Sequence, residues 1–284
     1  MNIVYLNGHF IPQEKAQVSI MDRGFLFGDG IYEVIPVFNG KLFGFQEHMA
    51  RMEKSLNAIH MKNPLTHTKW KSILENLLIQ NNKTVGNHSC YCQVTRGADE
   101  TRKHSFPNHL TPTVVAFVAP AASHSADELQ KGFYAVTIND ARRRDCFIKA
   151  IALLPNILHL QEAKSKGAVE AILIRNDEAL EGTSSNLFIV KNEKLFTPPL
   201  SHHILDGITR KLVIQLATEN HIPCEEKTIT ANELNHADEI WVTGSVKEIC
   251  PIVKLNDHPV GKGVVGPIWK RMVHLYEAYK KNHL

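Results

Sequence analysis

Ile31-Tyr32-Glu33-Val34-Ile35-Pro36-Val37-Phe38-Asn39-Gly40-Lys41-Leu42-Phe43-Gly44-Phe45 sets the pattern of this chain. An apolar run reaches Asn39-Gly40 and resumes from Lys41 to Phe45. That reads as strand, tight turn, strand, because Asn-Gly supplies the positive φ that hairpin turns need. Upstream, Ile3 to Leu6, Asn7-Gly8 and His9 to Ile11 repeat the design. Downstream the periodicity changes. Met49, Met52, Leu56 and Ile59 recur at helical spacing on a helix expected over Glu47 to Ile59, and Trp70, Ile73, Leu74, Leu77 and Leu78 mark a second helix. Strands are expected at Tyr91–Thr95 and Thr113–Val118.

Ala119 to Asp127 is small, polar and contains Pro120, which reads as a linker. It divides the chain into a small domain, 1–118, and a larger one, 128–284. In the second, strands are expected at Tyr134–Ile138, Ala171–Arg175, Leu187–Val190, Ile240–Thr243 and Ile249–Val253. Helices are expected at Pro155–Lys166, from Thr209 to Asn220, and at Ile268–Lys280. Strands and helices are mixed in both parts, so the fold class is α+β or α/β with two lobes.

With 284 residues, 43% of them hydrophobic, the chain can bury a sizeable core. A net charge of +3 is too mild for a nucleic-acid partner. The densest basic run, Arg142-Arg143-Arg144, is flanked by Asp140 and Asp145 and reads as local pairing or substrate attraction. Five cysteines without paired spacing argue against a disulfide framework and fit a reducing compartment. Met1 to Phe10 lacks the pattern of a signal peptide, and no apolar stretch is long enough to span a membrane. The expectation is a cytoplasmic protein without nucleic-acid or membrane partners. His202-His203 lacks the companion ligands of a metal site, so no metal is expected.

Five places can carry chemistry. Lys149 sits between Phe147-Ile148 and the apolar run Ala150 to Leu154. Most lysines are solvated surface residues, but apolar surroundings disfavour the charged form and free the amine as a nucleophile, as a Schiff-base lysine requires. Glu178 to Asn186, which contains Glu181-Gly182-Thr183-Ser184-Ser185, reads either as a polar turn or as a carboxylate at a strand end followed by small donors. Such a carboxylate suits a pyridoxal ring, whose nitrogen must stay protonated to draw electrons. Leu205-Asp206-Gly207-Ile208-Thr209-Arg210 opens a helix whose first N–H groups suit a phosphate, unless Asp206 or Thr209 simply caps it. Arg51, and the loop pair Arg102 and His104, are either surface residues or anion binders.

In order, Arg23-Gly24-Phe25-Leu26-Phe27-Gly28-Asp29-Gly30-Ile31-Tyr32-Glu33, Arg51, Lys149, Glu181 to Asn186 and Gly207-Ile208-Thr209-Arg210 resemble the fold-type IV pyridoxal-phosphate enzymes, over nearly the whole chain. The resemblance implies a smaller N-terminal and a larger C-terminal α/β domain, with pyridoxal 5'-phosphate as cofactor. It implies that Lys149 holds the cofactor and moves the substrate's α-proton, and that Glu181 keeps the ring nitrogen protonated. Arg51, Ser184, Ser185, Leu205, Gly207, Ile208, Thr209, Gly244 and Ser245 complete the implied cofactor site.

Within the family, Val94-Thr95-Arg96-Gly97 and Arg102-Lys103-His104-Ser105-Phe106-Pro107 are similar to the D-amino-acid aminotransferase subgroup. That likeness implies a carboxylate clamp of Arg102, His104 and Tyr32, with Val34 beside the substrate. It also implies a homodimer in which Arg102 and His104 serve the partner's site. Pro36 departs from the subgroup, which usually carries lysine there. Substrates would be a D-amino acid of the alanine or glutamate type and a 2-oxo acid. The alternatives are an L-branched-chain aminotransferase, an aminodeoxychorismate lyase, or a cofactor-binding protein without turnover.

Overall fold

The computed structural model describes residues 2–107, 109, 111–121 and 124–284. By its contacts the chain divides into two units. One comprises Met1–Ala121, Ile148–Leu153 and Leu284, and the other Ala122–Phe147 and Leu154–His283. No helix among the described residues is long and apolar enough to cross a membrane.

The first unit contains β1 (Ile3–Leu6), β2 (His9–Pro12), α1 (Arg23–Phe27), β3 (Gly30–Phe38), β4 (Lys41–Leu42), α2 (Phe45–Ala58), α3 (His67–Gln80), β5 (Asn87–Thr95) and β6 (Thr113–Pro120). The strands form an antiparallel sheet in the order β2-β1-β6-β5-β3-β4. Strand alternation gives its two faces different tasks. Ile31, Ile35 and Val37 of β3, Cys90, Cys92 and Val94 of β5, and Val114 and Ala116 of β6 are buried in one core. Met49, Met52 and Leu56 of α2 and Trp70, Leu74 and Leu77 of α3 complete it. Each large side chain so buried contributes roughly 1.5–3 kcal/mol. Tyr32, Val34, Tyr91, Gln93, Val115 and Phe117 lie on the opposite face and are half-buried.

The strand expected over Lys41 to Phe45 ends at Leu42. Gly44 turns the chain at φ 64° and Phe45 already begins α2. Phe45 joins the apolar face of that helix, a packing gain that its place in a strand-like run does not reveal.

The second unit contains α4 (Ala126–Lys131), β7 (Phe133–Asn139), α5 (Leu154–Ser165), β8 (Glu170–Arg175), β9 (Glu178–Gly182), β10 (Asn186–Lys191), β11 (Lys194–Thr197), α6 (Ile208–Glu219), β12 (Cys224–Glu226), β13 (Ile229–Thr230), α7 (Ala231–Asn235), β14 (Glu239–Gly244), β15 (Glu248–Leu255), β16 (His258–Pro259) and α8 (Pro267–His283). The sheet runs β12-β11-β10-β14-β15-β7-β8-β9-β13, with β16 on β15. β9 also pairs with β10, which closes the path on itself and sets Glu181 opposite Asn186. Of the two readings of this segment, a polar turn or a carboxylate at a strand end, the structure adopts the strand: Glu181 lies on β9. Ala179, Leu180, Glu181 and Gly182 are buried, and the polar look of the sequence reflects buried polar pairing.

The observed division also differs from the expected 1–118 and 128–284. β6 extends to Pro120 and α4 starts at Ala126, capped by Ser125 in a reciprocal box with Glu128. Residues 122 and 123 of the expected linker lie outside the described residues. Residues 148–153 join the first unit because they run along β3. Ile31 bridges Ala150, the Tyr32 N–H donates to the Lys149 carbonyl (2.9 Å), and the Ile151 N–H donates to the Gly30 carbonyl (3.1 Å).

Candidate active site

In the first unit, the backbone around Lys149 is fixed from two sides. β3 takes its carbonyl, and the Lys149 N–H donates to Ser55 Oγ of α2 (3.2 Å). Gly28 makes room for this segment. It lies at φ 68°, and a Cβ there would come within 2.9 Å of Ala152 Cβ. Lys149 is half-buried, and its Nζ stands 4.2 Å from the centre of the Tyr32 ring. This cation–π seat holds the amine on the open face of the sheet. Tyr32 is itself stacked on Tyr91, and Tyr91 on Phe117. Val34 follows on the same face, while Pro36 is buried and paired in register with Ser89.

The other face of β3 holds Glu33, fully buried. Its Oε1 accepts from Arg51 Nε (2.7 Å), and its Oε2 accepts from Arg51 Nη2 (2.8 Å) and bonds His48 Nδ1 (2.7 Å). Burial alone would raise the Glu33 carboxyl, but the charge of Arg51 and the bonds from Arg51 and His48 hold it far below the ordinary range. Burial pulls the His48 imidazole down from its ordinary value, against the opposing pull of Glu33. His48, Arg51 and Ser55 share one stripe of α2, the spacing that brings helical residues together on one face. Arg51, read from sequence as a phosphate binder, is thus bound two-pronged by Glu33. Sequence reading missed Glu33 and His48. The available signal was a carboxylate inside an otherwise apolar strand, which burial permits only with a cationic partner.

Arg102 and His104 are exposed on the loop before β6. Both rest on the Phe27 ring, at 4.9 Å for the guanidinium and 5.4 Å between ring centres. Tyr32, the third expected member of the clamp, stacks on Tyr91 and lies beside Lys149 Nζ.

In the second unit, Glu181 is buried on β9. Its Oε1 accepts from Arg142, and its Oε2 accepts from Asn186 Nδ2 (3.1 Å) and the Leu205 N–H (3.0 Å). Burial pushes its carboxyl up to about 7, against the pull of Arg142 and of the Leu205 N–H. Arg142 also pairs with Asp140, the local pairing expected of the basic run. Asn186 Nδ2 donates to the Leu205 carbonyl as well (2.8 Å). Gly207 is tied to this cluster, because a Cβ there would overlap Asn186 Oδ1.

Gly207 then caps α6 without any capping side chain, so the first N–H groups of this buried helix end, at Ile208 and Thr209, have no side-chain partner from the cap. The alternative of capping by Asp206 or Thr209 is not what the structure adopts. Ser184 meets the β14–β15 turn, where its carbonyl lies 3.5 Å from a Cβ placed on Gly244, and Ser245 follows in that turn. Thr243, just before the turn, carries a buried hydroxyl with no hydrogen-bond partner. Two of the small donors expected at the cofactor turn inward. Thr183 Oγ1 and Ser185 Oγ both donate to Glu170 (2.5 and 2.8 Å), which also receives Lys247 Nζ (2.7 Å). Glu170 lies 15 positions before Ser185, too far for the sequence to reveal the pairing.

This unit therefore gathers around Asn186 a buried carboxylate paired with Arg142, a helix start without a capping side chain and a buried hydroxyl with no hydrogen-bond partner. A basic ring nitrogen and a phosphate are the chemistry such donors and acceptors fit. Residues 30–255 match the family model of amino-transferase class IV. The chain belongs to the class IV aminotransferases. It is a pyridoxal-phosphate-dependent transaminase.

It is 38% identical to the D-alanine aminotransferase of Staphylococcus aureus (strain COL) over 284 residues, 100% of this chain and 99% of that protein. It is 39% identical to the D-alanine aminotransferase of Bacillus licheniformis over 269 residues, 95% of this chain and 94% of that protein. Among solved structures it is similar to the Escherichia coli branched-chain amino acid aminotransferase, with a TM-score of 0.91 and 26% identity over 98% of this chain and 94% of that one. A further branched-chain amino acid aminotransferase, solved with pyridoxamine 5'-phosphate, gives a TM-score of 0.88 and 25% identity, over 97% of this chain and 93% of that one.

Proposed function

We propose that this aminotransferase moves the amino group of a D-amino acid, of the D-alanine or D-glutamate type, to a 2-oxo acid. The observation that carries the reading is the Arg102–His104 pair. Two anion-binding side chains, two residues apart, are held on one aromatic ring, in a chain similar over its full length to proteins named D-alanine aminotransferase. The similar branched-chain enzymes share the fold at lower identity.

Pyridoxal phosphate, when bound, supplies an aldehyde for the amino group and a protonated ring that draws electrons from the α-carbon. Lys149 would hold it through Nζ and would carry the substrate's α-proton as a general acid–base. Its ordered backbone gives Nζ a defined face from which to deliver that proton. Glu181 supplies the negative charge that keeps the ring nitrogen protonated. The N–H groups of Ile208 and Thr209 and the Gly244–Ser245 turn would hold the phosphate, and Arg51 is proposed as a further phosphate-binding group. Leu205, Ser184 and Ser185 complete the surroundings, Leu205 by holding Glu181 and Ser185 through the Glu170 cluster.

Tyr32 and Val34 face the substrate beside Lys149. Arg102 and His104 bind the substrate carboxylate, and their loop position supports service to the site of a second copy, hence a homodimer. The cytoplasm is the compartment proposed, supported by five free cysteines. The test is pyruvate release from D-alanine. A transaminase releases pyruvate beyond one turnover only when 2-oxoglutarate is supplied. Absence of pyruvate release beyond one turnover from D-alanine with 2-oxoglutarate present would end this reading.

A further inference from the structure

Arg23 is not among the groups assigned above, yet its guanidinium is almost completely buried. Nη1 donates to the carbonyls of Lys103 (2.6 Å) and Ser105 (3.4 Å), and Nη2 donates to the carbonyl of His104 (3.2 Å). One side chain thereby gathers three successive carbonyls of the loop that carries Arg102 and His104. Its Nε donates to Asp29 Oδ2 (2.8 Å). Asp29 holds Arg96 as well, through Nε (2.8 Å) and Nη2 (3.0 Å). Arg96 in turn lies over the Phe106 ring at 3.8 Å. The two arginines hold the Asp29 carboxyl below its usual range, although burial works the other way. Arg23 also sits 4.9 Å from the Phe27 ring on which Arg102 and His104 rest.

We propose that Arg23, fixed by Asp29, is a positioning residue that holds the 102–106 loop so that Arg102 and His104 meet the substrate carboxylate ready-aligned. This rests on the reading of Arg102 and His104 as the carboxylate clamp. The physical reason is geometric. Exposed loop residues sample many conformations, and a clamp that must order itself on binding loses affinity. A planar fork with several donors can collect neighbouring carbonyls at once, and a lysine ammonium cannot hold the same plane. Phe27 supplies a second, apolar contact to the same two side chains.

The test uses holoenzyme with D-alanine and 2-oxoglutarate, and the variants Arg23→Lys, Arg102→Leu and the double variant. Arg23→Lys keeps the charge opposite Asp29 and loses the fork. Its KM for D-alanine should rise roughly tenfold, the scale on which misplaced binding groups act, while kcat changes by less than about threefold. Cofactor absorbance should be unchanged. The double variant should be no worse than Arg102→Leu alone, because a residue that works through Arg102 has nothing left to position. Phe27→Leu, which leaves Arg23 intact, gives a second route to the same KM effect should Arg23→Lys fold poorly.

A large KM effect in Arg102→Leu with none in either Arg23→Lys or Phe27→Leu would overturn the positioning role and leave the clamp standing. Fully additive effects in the double variant would do the same. An unchanged KM in Arg102→Leu would overturn the clamp itself, and the positioning role with it.

Discussion

Replacing Glu181 by glutamine removes one charge from a buried network and leaves its shape. The carboxylate faces three N–H donors, from Arg142, Asn186 and Leu205. Glutamine offers one oxygen and turns an NH2 toward the remaining donors, at a cost of about 1–3 kcal/mol for the group left unpaired. Arg142 keeps Asp140, and the protein no longer buries a carboxylate that burial pushes up to about 7. These effects oppose each other, so the fold should survive with a net change of about 2 kcal/mol or less.

Its pH signature has a definite sign. A carboxyl whose folded value lies above its unfolded value contributes stability that is complete below the ordinary range near 4.5. That stability is lost as pH rises through about 7. The cofactor-free wild type should therefore lose roughly 3 kcal/mol across that window relative to Glu181→Gln. Catalysis should suffer far more. A neutral amide cannot keep the ring nitrogen protonated, and loss of one such electrostatic partner costs about 10²- to 10³-fold. The assay is a single-turnover stopped-flow trace of holoenzyme mixed with D-alanine. A Glu181→Gln rate equal to wild type, with cofactor content matched, would refute the role given to Glu181.

Further outcomes follow from the same geometry. Purified enzyme should be yellow, and Lys149→Ala should lose the visible absorbance of lysine-bound cofactor; a band that persists on another lysine after borohydride reduction would sink the assignment. Mixing Lys149→Ala with Arg102→Ala subunits should restore some activity, because one hybrid site in a shared dimer is intact, whereas no recovery after verified subunit exchange would count against shared sites. Gly207→Ala should weaken cofactor binding by about 1–3 kcal/mol, since the new methyl displaces Asn186 from Glu181. Titration of the apo-enzyme with pyridoxal phosphate measures this, and an unchanged affinity would speak against the coupling.

Local features were the ones legible in the sequence. The Asn39-Gly40 hairpin start, the apolar stripes of α2 and α3, and the short apolar strands all announce themselves through spacing within a few residues. Motif order singled out Lys149 and Glu181, and the structure seats the first beside the Tyr32 ring and buries the second against Arg142. What stayed hidden depends on residues that meet only in space. Glu33 finds Arg51 18 positions away, and Arg142 finds Glu181 39 positions away. Glu178 to Gly182 could be read as a turn or a strand end, because the partners that satisfy its carboxylate lie outside the local sequence. Likewise, residues 148–153 follow strand β7 in the chain but pair with β3, so a linear domain boundary misplaced the segment that carries Lys149.

The handedness of the substrate tests the account most directly. Purified enzyme would be given a panel of D- and L-amino acids with 2-oxoglutarate, and the enantiomer consumed would be followed by chiral chromatography. D-alanine should be consumed in preference to its mirror image, with the D-isomer preferred wherever both forms of an amino acid are tested. Preferential consumption of L-leucine or L-valine over every D-amino acid in the panel would contradict the account.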